Sequence, residues 1–224
     1  MTLLLSLESS TTVCSAALHE DGKLLLAREV HTPQAAASQL TLLIDELFAT
    51  SGIKRTDLGA VAVSAGPGSY TGLRIGTATA KGICYGLDRP MIALDSLHVL
   101  ASSLTVQPDN RLLCPMIDAR RMEVYCCLVT PSLNVVEPTQ AKIIDDTSFV
   151  ERLSNQIIVF HGNGAAKCRE IIRHPNALFI DDSYPNAAAM GTLAFRKFEA
   201  REFVDLRTFE PAYLKEFVAK TKKV

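Results

Sequence analysis

The sequence lacks most of what marks a free-standing enzyme, a membrane protein or a nucleic-acid binder. It has no excess of either charge: 23 Lys and Arg stand against 24 Asp and Glu, a formal net charge of -1. No global field therefore draws it toward RNA or an anionic membrane, and any RNA contact has to rest on a local patch or a partner. Long apolar runs are missing as well. Leu3 to Leu5, followed by Ser6 and Leu7, has no basic residue ahead of it. Neither a signal peptide nor a membrane anchor is expected, and the expected compartment is the cytoplasm.

The chemistry-bearing residues are scattered. Cys14, Cys84, Cys114, Cys126, Cys127 and Cys168 form no CxxC pair, so structural thiols are expected. His19, His31, His98, His161 and His174 show neither HExxH nor HxxxH spacing, although His31 and His161 could meet in space. Gly68-Ser-Tyr-Thr-Gly72 is not GxSxG and offers no elbow serine. The expectation is no metal, no cofactor and no catalytic residue.

What is present is a repeated order of strands and helices. Leu3 to Leu7, Val13 to Leu18 and Lys23 to Val30 read as strands, the last two joined by the turn Glu20-Asp21-Gly22. Leu40, Leu43, Ile44 and Leu47 recur at helical spacing, and Ser51-Gly52 supplies a stop. A strand from Gly59 to Ser64, a helix from about Thr71 to Tyr85, a strand from Met91 to Leu94 and a helix capped by Asp95 or Ser96 follow. The polar, proline-containing stretch Thr105 to Asn110 sets a domain boundary, giving lobes of residues 1–105 and 106–224, with the last helix and tail able to return to the first. The second half repeats the pattern. Leu112 to Ile117, Glu123 to Val129 and Asn134 to Val136 read as strands, and Ile157 to Phe160 runs into His161-Gly-Asn-Gly164. Helices are expected from Ala165 to Ile172 and Ala187 to Ala200.

The most distinctive segment is Gly66-Pro-Gly-Ser-Tyr-Thr-Gly-Leu-Arg-Ile-Gly76, between a strand and a helix where backbone N–H groups can hold an anion. It fails the P-loop pattern because Leu73 and Arg74, not Lys and Ser or Thr, follow Gly72. Gly66, Pro67, Gly68 and Ser69 read as a tight entry turn. Projected at about 100° per residue, Gly72, Gly76, Thr79, Ala80 and Ile83 share one side of the helix. Small residues four apart let another helix approach closely, or let this helix pack tightly on its own sheet. The preceding helix carries a second apolar arc of Ala35, Leu42 and Ala49, among Ser38 and Asp45.

Four segments, in order and spread over nearly the whole chain, resemble the bacterial TsaB (YeaZ) family of the actin, Hsp70 and sugar-kinase superfamily. They are Leu7-Glu-Ser-Ser-Thr11, the Gly66 to Gly76 run, Ile117-Asp-Ala-Arg-Arg-Met-Glu-Val-Tyr125 and Glu210-Pro-Ala-Tyr-Leu214. The resemblance implies an α/β fold of two similar actin-like lobes, each a mixed sheet flanked by helices. It implies a part in making threonylcarbamoyladenosine at position 37 of tRNAs that read codons beginning with A. In that family the protein does not catalyse. It dimerises with TsaD, the related catalytic subunit whose metal site uses a histidine pair on its early helix, while the TsaE ATPase completes the assembly and a TsaC-type enzyme supplies threonylcarbamoyl adenylate. Here the corresponding stretch, Gln34-Ala-Ala-Ala-Ser-Gln-Leu40, has no histidine, not even the one some members keep near Ser38.

Superfamily members that hydrolyse ATP hold phosphate and metal with an Asp-x-Gly hairpin in each lobe. The counterparts here, Glu8-Ser9-Ser10 and Asp118-Ala119-Arg120, both lack the glycine. The family pairing is a bundle of the first two helices of each subunit, which makes Ala35, Ser38, Leu42, Ala49, Gly72, Gly76, Thr79, Ala80 and Ile83 the interface candidates. tRNA is then met mainly through the complex, and the sequence leaves open whether the chain alone is a monomer or a homodimer through the same helices. Two alternatives stand beside this reading: a glycoprotease-like peptidase and a small-molecule kinase of the same fold. The basic tail, Lys215 to Val224, is a further candidate for tRNA contact.

Overall fold

The computed structural model describes residues 1–32, 35–104 and 109–214, with residues 35–37 described by backbone alone. The basic tail of residues 215–224 and most of the expected linker lie outside the described residues.

The first thirty positions build an antiparallel meander of β1 (Leu3–Glu8) and β2 (Cys14–Glu20), both buried almost throughout, and β3 (Lys23–Val30), a more exposed edge. Asp21 (φ +47°) and Gly22 (φ +79°) supply the left-handed backbone that a two-residue hairpin requires. α1 (Ala35–Ser51) buries Leu40, Leu43, Ile44, Leu47 and Phe48 against this sheet. β4 (Leu58–Ser64) then pairs parallel to β1, α2 (Tyr70–Leu87) crosses back, and β5 (Met91–Leu94) pairs parallel to β4. The sheet order is β3-β2-β1-β4-β5. α3 (Ser96–Ser102) follows, its first amides accepted by the Asp95 carboxylate at 2.7 and 3.2 Å.

The second sheet repeats the plan strand for strand. β6 (Leu112–Asp118), β7 (Glu123–Val129) and β8 (Val135–Ile143) form the meander, and β9 (Ile158–His161) and β10 (Ala177–Ile180) add parallel strands in the order β10-β9-β6-β7-β8. α4 (Val150–Leu153) is a single turn. α5 (Gly191–Glu199) follows a 3-10 turn at Ala187–Met190 and packs on β1 and β5 of the first sheet. This repeated architecture of two mixed sheets flanked by helices is the actin-like α/β fold.

Residues 187–214 therefore sit on the first sheet although they come last in sequence. Buried His19 on β2 is within hydrogen-bond reach of both Ser6 Oγ and the Ala188 carbonyl, each at 3.2 Å. The Val204 amide donates to Met91 O at 3.0 Å, covering the β5 edge, and Leu206 and Phe209 pack against the first core.

Three expectations need correction. β8 runs to Ile143, much further than the expected Asn134 to Val136, because an edge strand exposed on one side shows only weak alternation. The expected helix from Ala165 to Ile172 is a 3-10 turn at Ala166–Cys168 within a string of tight turns. Lys167 there reaches back to Asp118, Arg121 O and Glu123 O, which holds the segment close to the β6–β7 turn. The short strand β10 and the single turn α4 were not foreseen; neither is long enough to show a period. No helix among the described residues is long and apolar enough to cross a membrane.

Candidate docking interface

The first hairpin is closed from within. Glu8 is fully buried at the end of β1, where Oε1 accepts the Ser10 amide at 2.6 Å and Oε2 accepts the Ser64 hydroxyl. Burial pushes its carboxyl above the ordinary range, partly opposed by the Ser10 and Ser64 hydrogen bonds. The glycine-rich turn lies directly on this hairpin. Ser69 N donates to Ser10 O at 2.6 Å and Ser9 Oγ donates to Gly72 O at 2.9 Å. A Cβ at Gly68 would overlap Ser10, and one at Gly72 or Gly76 would overlap Ser9.

Gly66, Pro67, Gly68 and Ser69 thus form the tight entry turn, and its glycines serve close backbone approach. Gly66 adopts φ +105°, and a Cβ there would meet Ala212 O at 2.7 Å. Ser69 caps α2, accepting from Gly72 N at 3.3 Å, an arrangement worth about 1 kcal/mol. Ala212 N donates to Ala65 O at 2.7 Å, and the Tyr213 ring lies 4.9 Å from that of Tyr70. Three of the four resembling segments therefore meet at one place.

The second hairpin follows the same principle. Asp118 N donates to Asn163 Oδ1 at 3.1 Å, Arg120 N donates to Asp118 Oδ1 at 3.0 Å, and Asp118 pairs with Lys167. Gly162 and Gly164 press onto Met116 and Ile117 much as Gly68 and Gly72 press onto the first hairpin. In each turn a carboxylate of the protein itself takes up an amide, Glu8 that of Ser10 and Asp118 that of Arg120.

Packing of α2 onto Ser9 decides which face of that helix looks outward. Gly72, Gly76 and Ala80, expected at an outward seam, are buried against the chain's own sheet and hairpin. The small residues there admit the Ser9 backbone and hydroxyl. A helical projection gives angles but not which arc faces the core, so part of the expected stripe falls on the buried side of α2. The outward row is Thr71, Arg74, Ala78, Gly82, Tyr85 and Gly86. A Cβ at Gly82 or Gly86 would meet nothing within 4 Å, and Tyr85 is 86% exposed.

Between this row and α1 runs an apolar groove of about 150 Å³, lined by Thr41, Ile44, Asp45, Phe48, Arg55, Leu58, Thr79 and Ile83. Thr79 and Ile83 are half-buried and line it, as two of the expected interface residues. On α1, Ser38, Leu42 and Ala49 are exposed, Leu42 by 50%. Ala35 begins α1, and its side chain lies outside the described residues. Ala78, Gly82 and Tyr85, exposed on the outward arc, are not among the interface candidates drawn from the sequence. Their signal is the polar residues on the same arc, Thr71 and Arg74, which are exposed, and Lys81, which is half-buried.

The two histidines that could have met hold different partners. His31 lies 3.0 Å from Glu29 Oε1 and edge-on to Tyr184, whereas His161 Nδ1 lies 3.1 Å from Ser183 Oγ. His161 is buried with its Nε2 unpartnered, and burial lowers its pKa to about 3. All six cysteines are buried free thiols, and among the described residues no group of three or more His, Cys, Asp or Glu could hold a metal ion.

Comparison with known proteins fits this geometry. Residues 31–223 match the family described as TsaD, tRNA N6-adenosine threonylcarbamoyltransferase. The tRNA threonylcarbamoyladenosine biosynthesis protein TsaB of Haemophilus influenzae is 28% identical over 228 residues, covering 96% of this chain and 94% of that protein. A crystal structure of a Pseudomonas aeruginosa protein similar to the peptidase YeaZ superposes with a TM-score of 0.85 at 25% identity, covering 96% of this chain and all of that one. The activator of 2-hydroxyisocaproyl-CoA dehydratase from Clostridium difficile, with bound ADPNP, shares the fold at a TM-score of 0.51 and 12% identity, over 90% of this chain and 96% of that one. Matched over most of its length, the chain belongs to the tRNA N6-adenosine threonylcarbamoyltransferase family, on its TsaB (YeaZ) branch.

Proposed function

We propose that this chain is a non-catalytic subunit in tRNA threonylcarbamoyladenosine formation, and that it docks a catalytic TsaD-type transferase through the outward face of α1 and α2. The observation that carries the docking is the open groove between these helices, flanked by exposed Leu42 and Tyr85 and by Gly82 and Gly86 with nothing above them. An exposed apolar face beside a glycine notch suits helix-on-helix packing, in which a partner's ridges enter the groove. A homologous transferase would present an equivalent helix pair, giving a four-helix bundle. The TsaE-type ATPase and tRNA join through that assembly, which works in the cytoplasm. A second copy of the chain, using the same face, is the competing occupant when the transferase is absent.

The non-catalytic role is supported by the two closed hairpins. A nucleotide phosphate needs free amides and close backbone approach, and here Ser10 N is bonded to Glu8 and Arg120 N to Asp118. That disfavours the kinase alternative. The peptidase alternative needs an accessible nucleophile–base pair, and the two Ser–His pairs described above, Ser6 with His19 and Ser183 with His161, are both buried.

Co-expression of the full chain with the transferase of the same organism tests the proposal. A joint assembly that forms threonylcarbamoyladenosine, and that is lost when Gly82→Trp fills the notch, is the expected result. Assembly that survives Gly82→Trp, or transfer by the chain alone, would refute it.

A further inference from the structure

Several exposed cations of this chain, and half-buried Arg89, are tied to a carboxylate or carbonyl. Arg55 pairs with Asp45, Arg152 with Glu137, Arg169 with Asp181, Arg173 with Glu170, and Arg89 donates to three backbone carbonyls. At the β6–β7 turn two exposed arginines are adjacent. Arg120 and Arg121 stand side by side at its tip, both exposed, and neither guanidinium has a partner among the described residues. The acid beside them does not neutralise them, because the Asp118 carboxylate is engaged by Lys167. That ammonium directs its other bonds to Arg121 O and Glu123 O, both at 2.7 Å. Lys167 thus fixes the turn from behind and leaves two adjacent guanidiniums facing solvent.

The backbone adds an independent observation. Arg120 (φ +70°) and Arg121 (φ +50°) both occupy the left-handed region, where glycine and asparagine are favoured and a long side chain is not. Two consecutive arginines in that conformation oppose the local preference, and such conflicts concentrate at functional sites. Paired planar forks of this kind suit phosphate oxygens. With a net charge of -1, the chain has no general attraction for RNA, so a local patch has to supply it.

The geometry points to the Arg120–Arg121 tip as a contact for the phosphodiester backbone of RNA, with Lys167 as the positioning residue behind it. This assignment rests on the tRNA-modification reading above. It specifies no base, because guanidinium–phosphate contacts position a nucleic acid without reading it.

The test is Arg120→Asn with Arg121→Gly, which removes both guanidiniums while installing residues that favour the left-handed turn. Thermal stability should be kept or raised, so lost RNA binding could not be blamed on misfolding. tRNA binding is measured against salt for the full chain and for its co-purified assembly with the transferase, and co-purification itself reports separately on the docking proposal. Loss of two phosphate contacts should make the slope of log K against log [salt] shallower by about 2 in whichever species binds. Lys23→Gln with Arg196→Gln removes the same charge elsewhere and should leave the slope unchanged. An unchanged slope in the turn variant, an equal change in the control, or no tRNA binding by either species would overturn the assignment. So would inorganic phosphate or ATP competing as well as tRNA per phosphate, since that would make the turn a small-anion site.

Discussion

Two glycines on one helix should respond in opposite directions to the same methyl group. Gly72 and Gly82 both lie inside α2, and replacing either with alanine should gain about 1 kcal/mol of helix propensity. At Gly82 nothing lies within 4 Å of the new Cβ, so the gain is realised. For a chain of this length that raises Tm by about 2–4 °C. At Gly72 the Cβ would overlap the Ser9 carbonyl, a backbone atom that cannot swing aside, and would strain the Ser9 Oγ bond to Gly72 O. Overpacking of this kind costs about 1–3 kcal/mol, so Gly72→Ala should be neutral to destabilising. Gly72 lies in the first turn of α2, so its propensity gain is no larger than that at Gly82, and a difference well beyond that gain reads the overlap. Urea unfolding followed by far-UV circular dichroism measures it. Equal stability of the two variants would refute the account of α2 packed glycine-first onto its own hairpin, and a Gly82→Ala variant less stable than wild type would refute its outward face.

Two buried titratable groups give further predictions of opposite sign. The Glu8 pKa is raised by burial, so the folded state holds its proton above the ordinary 4.5 and stability falls as pH rises from there through the folded value. Glu8→Gln should flatten that fall in chemical denaturation from pH 4.5 to 8, and parallel curves for variant and wild type would contradict the assignment. His161 is lowered from 6.5 to about 3, so its contribution is intact above the unfolded value and is lost as pH drops from 6.5 toward 3, by about 1.4 kcal/mol per pH unit. His161→Asn should remove that acid sensitivity, and an unchanged acid limb would show that His161 is not its source.

The first sheet was legible almost residue by residue, because hairpin turns with clear chemistry separate strands buried on at least one face. Asp21-Gly22 and Ser69 declared their roles through residue type alone. β8 and β10 were not legible in full: one is a half-exposed edge carrying Pro138, Glu137 and Lys142, and the other is four residues long. The segment after Gly164 reads as a helix by composition, but Lys167 anchors it to a turn some forty-five residues earlier in sequence, a tertiary tie that no local pattern encodes. The same limit applies to the docking face. Small residues on α2 read from the sequence as a seam for another helix, with tight packing on the chain's own sheet as the alternative. Yet Gly72 and Gly76 meet Ser9, and only the fold reveals that the open notch belongs to Gly82 and Gly86. Thr79, Ile83, Ser38, Leu42 and Ala49 keep exposed or groove-lining positions.

The outward face of α1 and α2 carries the central claim, and one measurement addresses it most directly. The full chain is co-expressed with the transferase, and the mass and composition of what co-purifies are determined for wild type and for Gly82→Trp. Docking through this face predicts a mixed assembly for wild type, its loss in the variant, and an unfolding midpoint for the variant alone no lower than that of wild type. A mixed assembly of the same mass and yield from the variant would contradict it.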